Sequence, residues 1–244
     1  MNRQSSLVPQ ATVTELADLM LDLAAFRFRP EDPVRWASGA IMPVYNDNRR
    51  LLSEPRARAL VTEAFCAILG ANDAGTLAET DLAGRAGVAN LDGIVGTATG
   101  GIAPATSLAD RLGLRLFYVR SKAKDHGLGR RVEGAGEEVP GTRVVLIEDL
   151  VSTGGSSAAA ALAVHEAGAV LDLGLAIFSY GFVRADEAFA ALPFPFTMRP
   201  ILTVAGLYAR ARERDLLTAA QIALLDTWLA DPFGWAAKQG DTRE

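Results

Sequence analysis

Cysteine, excess positive charge and long apolar runs are what this 244-residue chain has least of. A single cysteine, Cys66, excludes an internal disulfide framework and fits a reducing compartment, the cytoplasm. It stands in an apolar helical stretch (62–69) and reads as a core residue. A formal net charge of −5 argues against a nucleic-acid binder driven by overall charge. No apolar run approaches the roughly 20 residues of a membrane span, and residues 1–10 carry no signal-peptide core, so a soluble intracellular protein is expected. The chain has neither the GxxxxGK[ST] of a P-loop nor the GxGxxG of a dinucleotide fold. It shows no internal repeat, and no low-complexity tract beyond the alanines at 158–161.

Half of the residues are hydrophobic and 22% are charged, which makes the chain globular rather than disordered. Its length suits one domain with an appended subdomain. From about residue 91 strand-like and helix-like segments alternate. Strands are predicted at 91–96, 114–120, 143–149, 171–180 and 199–204, with helices at 102–112, 156–167 and 184–192. Alternation of this kind predicts an α/β fold whose central parallel sheet is flanked by helices. The first ninety residues differ. An amphipathic helix is predicted at 14–26, with Leu16, Leu19, Met20 and Leu23 on one side. A stretch rich in Pro, Gly and aromatics (28–46) predicts short strands forming a small hood, and 54–70 a second helix. Thr218 opens a last helix over 219–230. The partition expected is a hood at about 27–50, a core at about 91–204 and C-terminal helices from 205 to 244.

The densest chemical information lies in Arg143-Val-Val-Leu-Ile-Glu-Asp-Leu-Val-Ser-Thr-Gly-Gly-Ser-Ser157. Four branched apolar residues suit a strand covered on both faces. Two carboxylates follow, Glu148 and Asp149, then small residues at the start of a helix. Free backbone amides and the helix dipole at such a start favour an anion, phosphate in particular. Carboxylates repel phosphate, so Glu148 and Asp149 need another partner: sugar hydroxyls, or a metal carried in with the ligand. A phosphate cradle beside an acidic pair suggests a phosphorylated sugar.

A second constellation is Arg120-Ser-Lys-Ala-Lys-Asp-His-Gly-Leu-Gly-Arg-Arg131, with five basic residues against one acidic in an otherwise acidic chain. A long, glycine-rich, positive loop between two strands reads as a lid over a polyanion. It has no interleaved aromatics for stacking bases, which weakens a nucleic-acid reading. His165, inside a helical apolar pattern, reads as structural.

Together these stretches resemble the orotate phosphoribosyltransferases, within the type I phosphoribosyltransferases. Glu148 to Ser156 is similar to their signature for phosphoribosyl pyrophosphate (PRPP), and Arg120-x-x-x-Lys124-Asp125-His126-Gly127 to their catalytic loop. Leu91 to Pro104 resembles their pyrophosphate loop, and Trp36 to Arg49 their base-binding hood. The resemblance implies transfer of ribose 5-phosphate from PRPP to N1 of orotate in pyrimidine synthesis, giving orotidine 5′-monophosphate and pyrophosphate. It implies Mg²⁺ bound through PRPP, with no ligand directly from the protein. It also implies a homodimer in which each basic loop closes over the partner's site, with no nucleic acid or membrane involved.

The same resemblance implies a role for each matching residue. Arg120, Lys124 and His126 hold the leaving pyrophosphate, with Lys122 and Asp125 secondary. Glu148 and Asp149 bind the ribose hydroxyls and stabilise positive charge on the ring. Leu150, Val151 and Ser152 lead into Thr153, Gly154, Gly155 and Ser156, which cradle the 5-phosphate. Thr99 and Gly100 offer amides to the pyrophosphate. Ser152 contacts orotate, and Tyr45 stacks on the base. The hood departs from the family's lysine-bearing pattern at Ala37, Ile41 and Met42. Two other readings are weighed: a phosphoribosyltransferase for another base, which would generally lack the Lys-Asp-His-Gly loop, and a PRPP-sensing regulator, which would carry a DNA-binding helix or a basic face.

Overall fold

The structure, a computed structural model, describes residues 7–36, 39–71, 90–121, 131–134 and 139–238. Its centre is a six-stranded sheet in the order β10-β9-β8-β5-β6-β7. These strands are β5 (Gly93–Thr97), β6 (Arg115–Val119), β7 (Val132–Glu133), β8 (Val144–Val151), β9 (Leu173–Ser179) and β10 (Thr197–Thr203). All pairings are parallel except β6 with β7, a two-residue antiparallel edge absent from the sequence-based expectation.

The run of apolar residues in β8 is covered on both faces, as its composition requires. Val145 and Ile147 join the core built with α2 (Pro55–Leu69) and α3 (Ile102–Leu112). Val144 and Leu146 face the opposite way, onto Ala160, Ala161 and Val164 of α4 (Gly155–Glu166). Helices α1 (Gln10–Asp22) and α6 (Val204–Glu213) complete the first face, and α5 (Val183–Ala190) lies beside α4 on the second. Helix α7 (Ala219–Ala230) opens at Thr218 with a complete capping box to Gln221.

Two expectations are corrected. Helix α1 runs four residues earlier than the apolar spacing suggested. Pro9 precedes its first residue, while Ala24 at φ 50° turns the chain so that Phe26 enters a strand instead. Strand β8 continues two residues past the carboxylates, because Leu150 and Val151 still pair with Phe178 and Ser179 of β9. Glu148 and Asp149 therefore lie inside the strand.

The hood consists of two short antiparallel ribbons. One pairs β1 (Phe26–Phe28) with β4 (Val44–Asn46); the other pairs β2 (Val34–Arg35) with β3 (Ile41–Met42). It rests on aromatic contacts at the carboxyl end of β9: Phe26 on Phe178 at 5.2 Å and Trp36 on Tyr180 at 4.6 Å between ring centroids. A 3-10 helix, Asn48–Ser53, leads from the hood into α2. Cys66 is buried on α2, where burial pushes its thiol up from the ordinary value, in keeping with a core role. His165 closes α4 with its ring stacked on Phe194.

Candidate active site

Reading the parallel strands in space, the chain order reverses between β5 and β8. In open α/β sheets the crevice outside the carboxyl ends at such a reversal is where ligands bind. The loops leaving those two strands are 98–101 and 152–154, the stretches singled out from sequence.

Near the carboxyl end of β8 the two carboxylates differ in environment. Glu148 is 6% exposed, and both its oxygens are taken by protein donors. The Thr97 hydroxyl stands 2.7 Å from Oε1, the Ser157 hydroxyl donates to Oε2 at 2.8 Å, and the Asp149 amide donates to Oε1 at 3.1 Å. Burial first, then the adjacent Asp149 carboxyl, push Glu148 up to about 7. Asp149 is only half-buried and turns toward the loop that follows β5. Its carboxylate fills the space that a side chain at residue 100 would need, so Gly100 is what allows loop and acid to meet. Gly101 is confined by Thr97 Oγ1, 2.5 Å from where a Cβ would stand, and by the Thr97 amide at 2.8 Å. The Ala98–Thr99 peptide bond in this loop is cis.

The stretch 152–156 forms an open turn into α4. Gly154 takes the left-handed conformation at φ 78°, and a Cβ there would stand 2.8 Å from the Ala185 Cα, so only glycine fits. No side chain caps α4, which leaves first-turn amides for a ligand. Gly155 and Ser156 are exposed, and Ser152 and Thr153 half-exposed.

Arg120 follows β6, half-exposed, with its guanidinium 3.5 Å from Glu133 of β7. Lys122, Lys124, Asp125 and His126 lie outside the described residues, as does Ala37. Tyr45 is half-buried on β4, with the Arg27 guanidinium 5.4 Å from its ring centre. Ile41 and Met42 form β3; Met42 is fully buried, and its sulfur accepts from the Trp228 indole at 3.3 Å.

Three residues passed over in the sequence stand in this network: Asn48, Thr97 and Ser157. The buried Asn48 amide donates to the main-chain carbonyl of Asp149, tying the hood's exit to the acidic strand. Arg49 beside it pairs with Asp47 at 2.6 Å and also feels the charge of Asp149. Each of these side chains reaches its partner through the fold, so a linear motif carries no signal for it.

A sheet with this reversal, a glycine-spaced acid and an uncapped helix start define a protein of the type I phosphoribosyltransferase class. The family model described as phosphoribosyl transferase domain matches residues 84–187. A protein named orotate phosphoribosyltransferase from Cutibacterium acnes is 37% identical over 226 residues, covering 91% of this chain and 94% of its own. One of the same name from Lactiplantibacillus plantarum is 38% identical, covering 90% and 95%. Among solved structures, orotate phosphoribosyltransferase of Mycobacterium tuberculosis in complex with PRPP superposes with a TM-score of 0.57 at 25% identity, covering 81% of this chain and 99% of its own. The chain belongs to the orotate phosphoribosyltransferase family.

Proposed function

We propose that the crevice between β5 and β8 binds PRPP and passes its ribose 5-phosphate to N1 of orotate. The reaction releases orotidine 5′-monophosphate and pyrophosphate. The observation that carries this reading is the Asp149 carboxylate set against Gly100, between the pyrophosphate loop and the uncapped start of α4. A single ligand with a phosphate at one end, hydroxyls in the middle and a pyrophosphate at the other spans these three features.

In the step itself the C1–O bond to pyrophosphate breaks and its electrons leave with the pyrophosphate. N1 forms the new C–N bond and its N–H bond breaks, the proton passing to solvent or to the departing pyrophosphate. Positive charge builds on the ribose ring in between. Asp149 holds the ribose hydroxyls and faces that charge. Glu148, its two oxygens already engaged by Thr97, Ser157 and the Asp149 amide, stands behind it without the direct ribose contact that the resemblance implied. The amides and hydroxyls of 152–156 hold the 5-phosphate, and Thr99 and Gly100 present amides to the pyrophosphate. Arg120, Lys124 and His126 neutralise the departing pyrophosphate, supplied by the partner's loop in a homodimer. Fixed charge, aimed in advance at charge that develops in the transition state, is the strongest stabilisation open to such a site. Tyr45 and Ser152 position the base.

Mg²⁺ would be carried in on PRPP and held by the pyrophosphate and ribose hydroxyls, with Asp149 meeting those hydroxyls rather than the ion. When bound, the ion neutralises charge on the pyrophosphate. Among the described residues no helix is long and apolar enough to cross a membrane, and the single cysteine is a free, buried thiol. Both features suit a cytoplasmic enzyme.

An absorbance assay of orotate consumption with PRPP and Mg²⁺, run beside adenine, hypoxanthine, guanine and uracil, tests the reading. Orotate alone is expected to turn over, and Asp149→Asn to lower the rate on the order of a hundredfold or more. Turnover of another base would overturn orotate and keep the PRPP chemistry. PRPP binding without turnover of any base would point instead to a sensor.

A further inference from the structure

Glu148 is the group the proposed mechanism uses least directly, yet it is the most completely engaged side chain at the site. Its two side-chain donors flank the two loops that must grip the opposite ends of PRPP. Thr97 is the last residue of β5, where the pyrophosphate loop begins, and Ser157 sits in the first turn of α4, whose start cradles the 5-phosphate. The Thr97 hydroxyl lies 2.7 Å from one carboxylate oxygen of Glu148 and the Ser157 hydroxyl 2.8 Å from the other. All three side chains are buried, at 7%, 1% and 6% exposure for Thr97, Ser157 and Glu148. A hydroxyl that donates to a buried carboxylate is strong and directional, and removing it leaves the acceptor short of a partner.

We propose that Thr97 and Ser157 are positioning residues that act through Glu148, clamping the pyrophosphate loop and the phosphate cradle at the separation PRPP requires. The inference rests on the PRPP reading above and deepens it. Thr97 is placed so that its hydroxyl also lies 3.3 Å from the Ile147 carbonyl, which fixes its rotamer on the β8 side. The Asp149 amide closes the set by donating to the same Glu148 oxygen as Thr97, so the clamp also holds the backbone of the acid that meets the ribose. Both hydroxyls favour the charged carboxylate, whereas burial and Asp149, the charged neighbour that acts on it, oppose it.

The test uses Thr97→Val and Ser157→Ala in the full-length protein, with PRPP binding measured by calorimetry in the absence of any base and the pH profile of kcat/KM for PRPP measured beside it. Each variant is expected to bind PRPP about tenfold more weakly. Each is also expected to move the acid limb of the profile to higher pH, because a donor that favours ionised Glu148 has gone. Thr97→Ser and Ser157→Thr keep the hydroxyl and are expected to restore both readouts. Loss of rate with an unmoved acid limb, or wild-type PRPP affinity in both variants, overturns the clamp. A wild-type protein that binds no PRPP overturns the underlying reading itself, and a wild-type protein that binds PRPP but turns over another base leaves the clamp standing.

Discussion

Burial and the adjacent Asp149 carboxyl raise Glu148 from an ordinary 4.5 to about 7, against the pull of Thr97 and Ser157. The sign of the consequence follows from proton linkage. A carboxyl raised in the folded state binds more protons there than in the unfolded chain across the window between those two values. Its contribution to stability is therefore fully present below 4.5 and is lost as pH rises through about 7. Glu148→Gln removes the titration and keeps the side chain's size. The urea midpoint of the wild type relative to that variant is expected to fall between about pH 5 and about pH 8. Equal differences at the two pH values would rule out a raised folded-state pKa at this position. The acid pair itself was legible as a motif because its residues are consecutive. Thr97, Ser157 and Asn48 were not, since 51, 9 and 101 residues separate them from the groups they touch.

At the scale of elements, the loop that follows β5 makes two neighbouring glycines do different work. At residue 100 the atoms nearest an added Cβ are the carboxylate end of Asp149, a side chain that can swing away. At residue 101 it meets the Thr97 amide at 2.8 Å and the Ile147 carbonyl, backbone that cannot. Gly100→Ala is accordingly expected to leave the unfolding midpoint unchanged while weakening PRPP binding about tenfold, the cost of displacing one charged contact. Gly101→Ala is expected to destabilise the fold by about 2 kcal/mol or more, as overpacking against backbone does. Thermal unfolding and PRPP titration of the two variants separate the cases, and identical behaviour would undo the distinction. Most elements were readable in advance. The helix at 102–112 and that at 219–230 fall where capping and periodicity put them. Helix α1 was displaced because a hydrophobic period fixes a face and leaves the ends to Pro9 and Ala24. Strand β7 is two residues long on a sheet edge, too short for any period to announce.

For the whole molecule, the charge distribution sets the problem that a dimer would solve. A chain of net charge −5 keeps five basic residues between positions 120 and 131, and two acids near the carboxyl end of β8. On the proposed mechanism leaving pyrophosphate needs the first group and the developing ribose cation the second, so a competent site would require both at once. If each loop serves the partner's site, two differently disabled chains complement each other. Lys124→Ala removes a loop cation and Asp149→Asn the core acid, and each homodimer alone is expected to be nearly inactive. In a hybrid dimer one site receives an intact Lys124 from the Asp149→Asn chain and an intact Asp149 from the Lys124→Ala chain. Random exchange makes half the dimers hybrid with one competent site each, so mixing is expected to restore about a quarter of wild-type activity, the isologous arithmetic of a two-fold dimer. The assay is orotate turnover before and after subunit exchange, with exchange itself followed by differently tagged chains. Hybrids that form and remain inactive would place each loop over its own chain's site, and a chain that sediments as a monomer while turning over orotate would remove the need for a partner altogether.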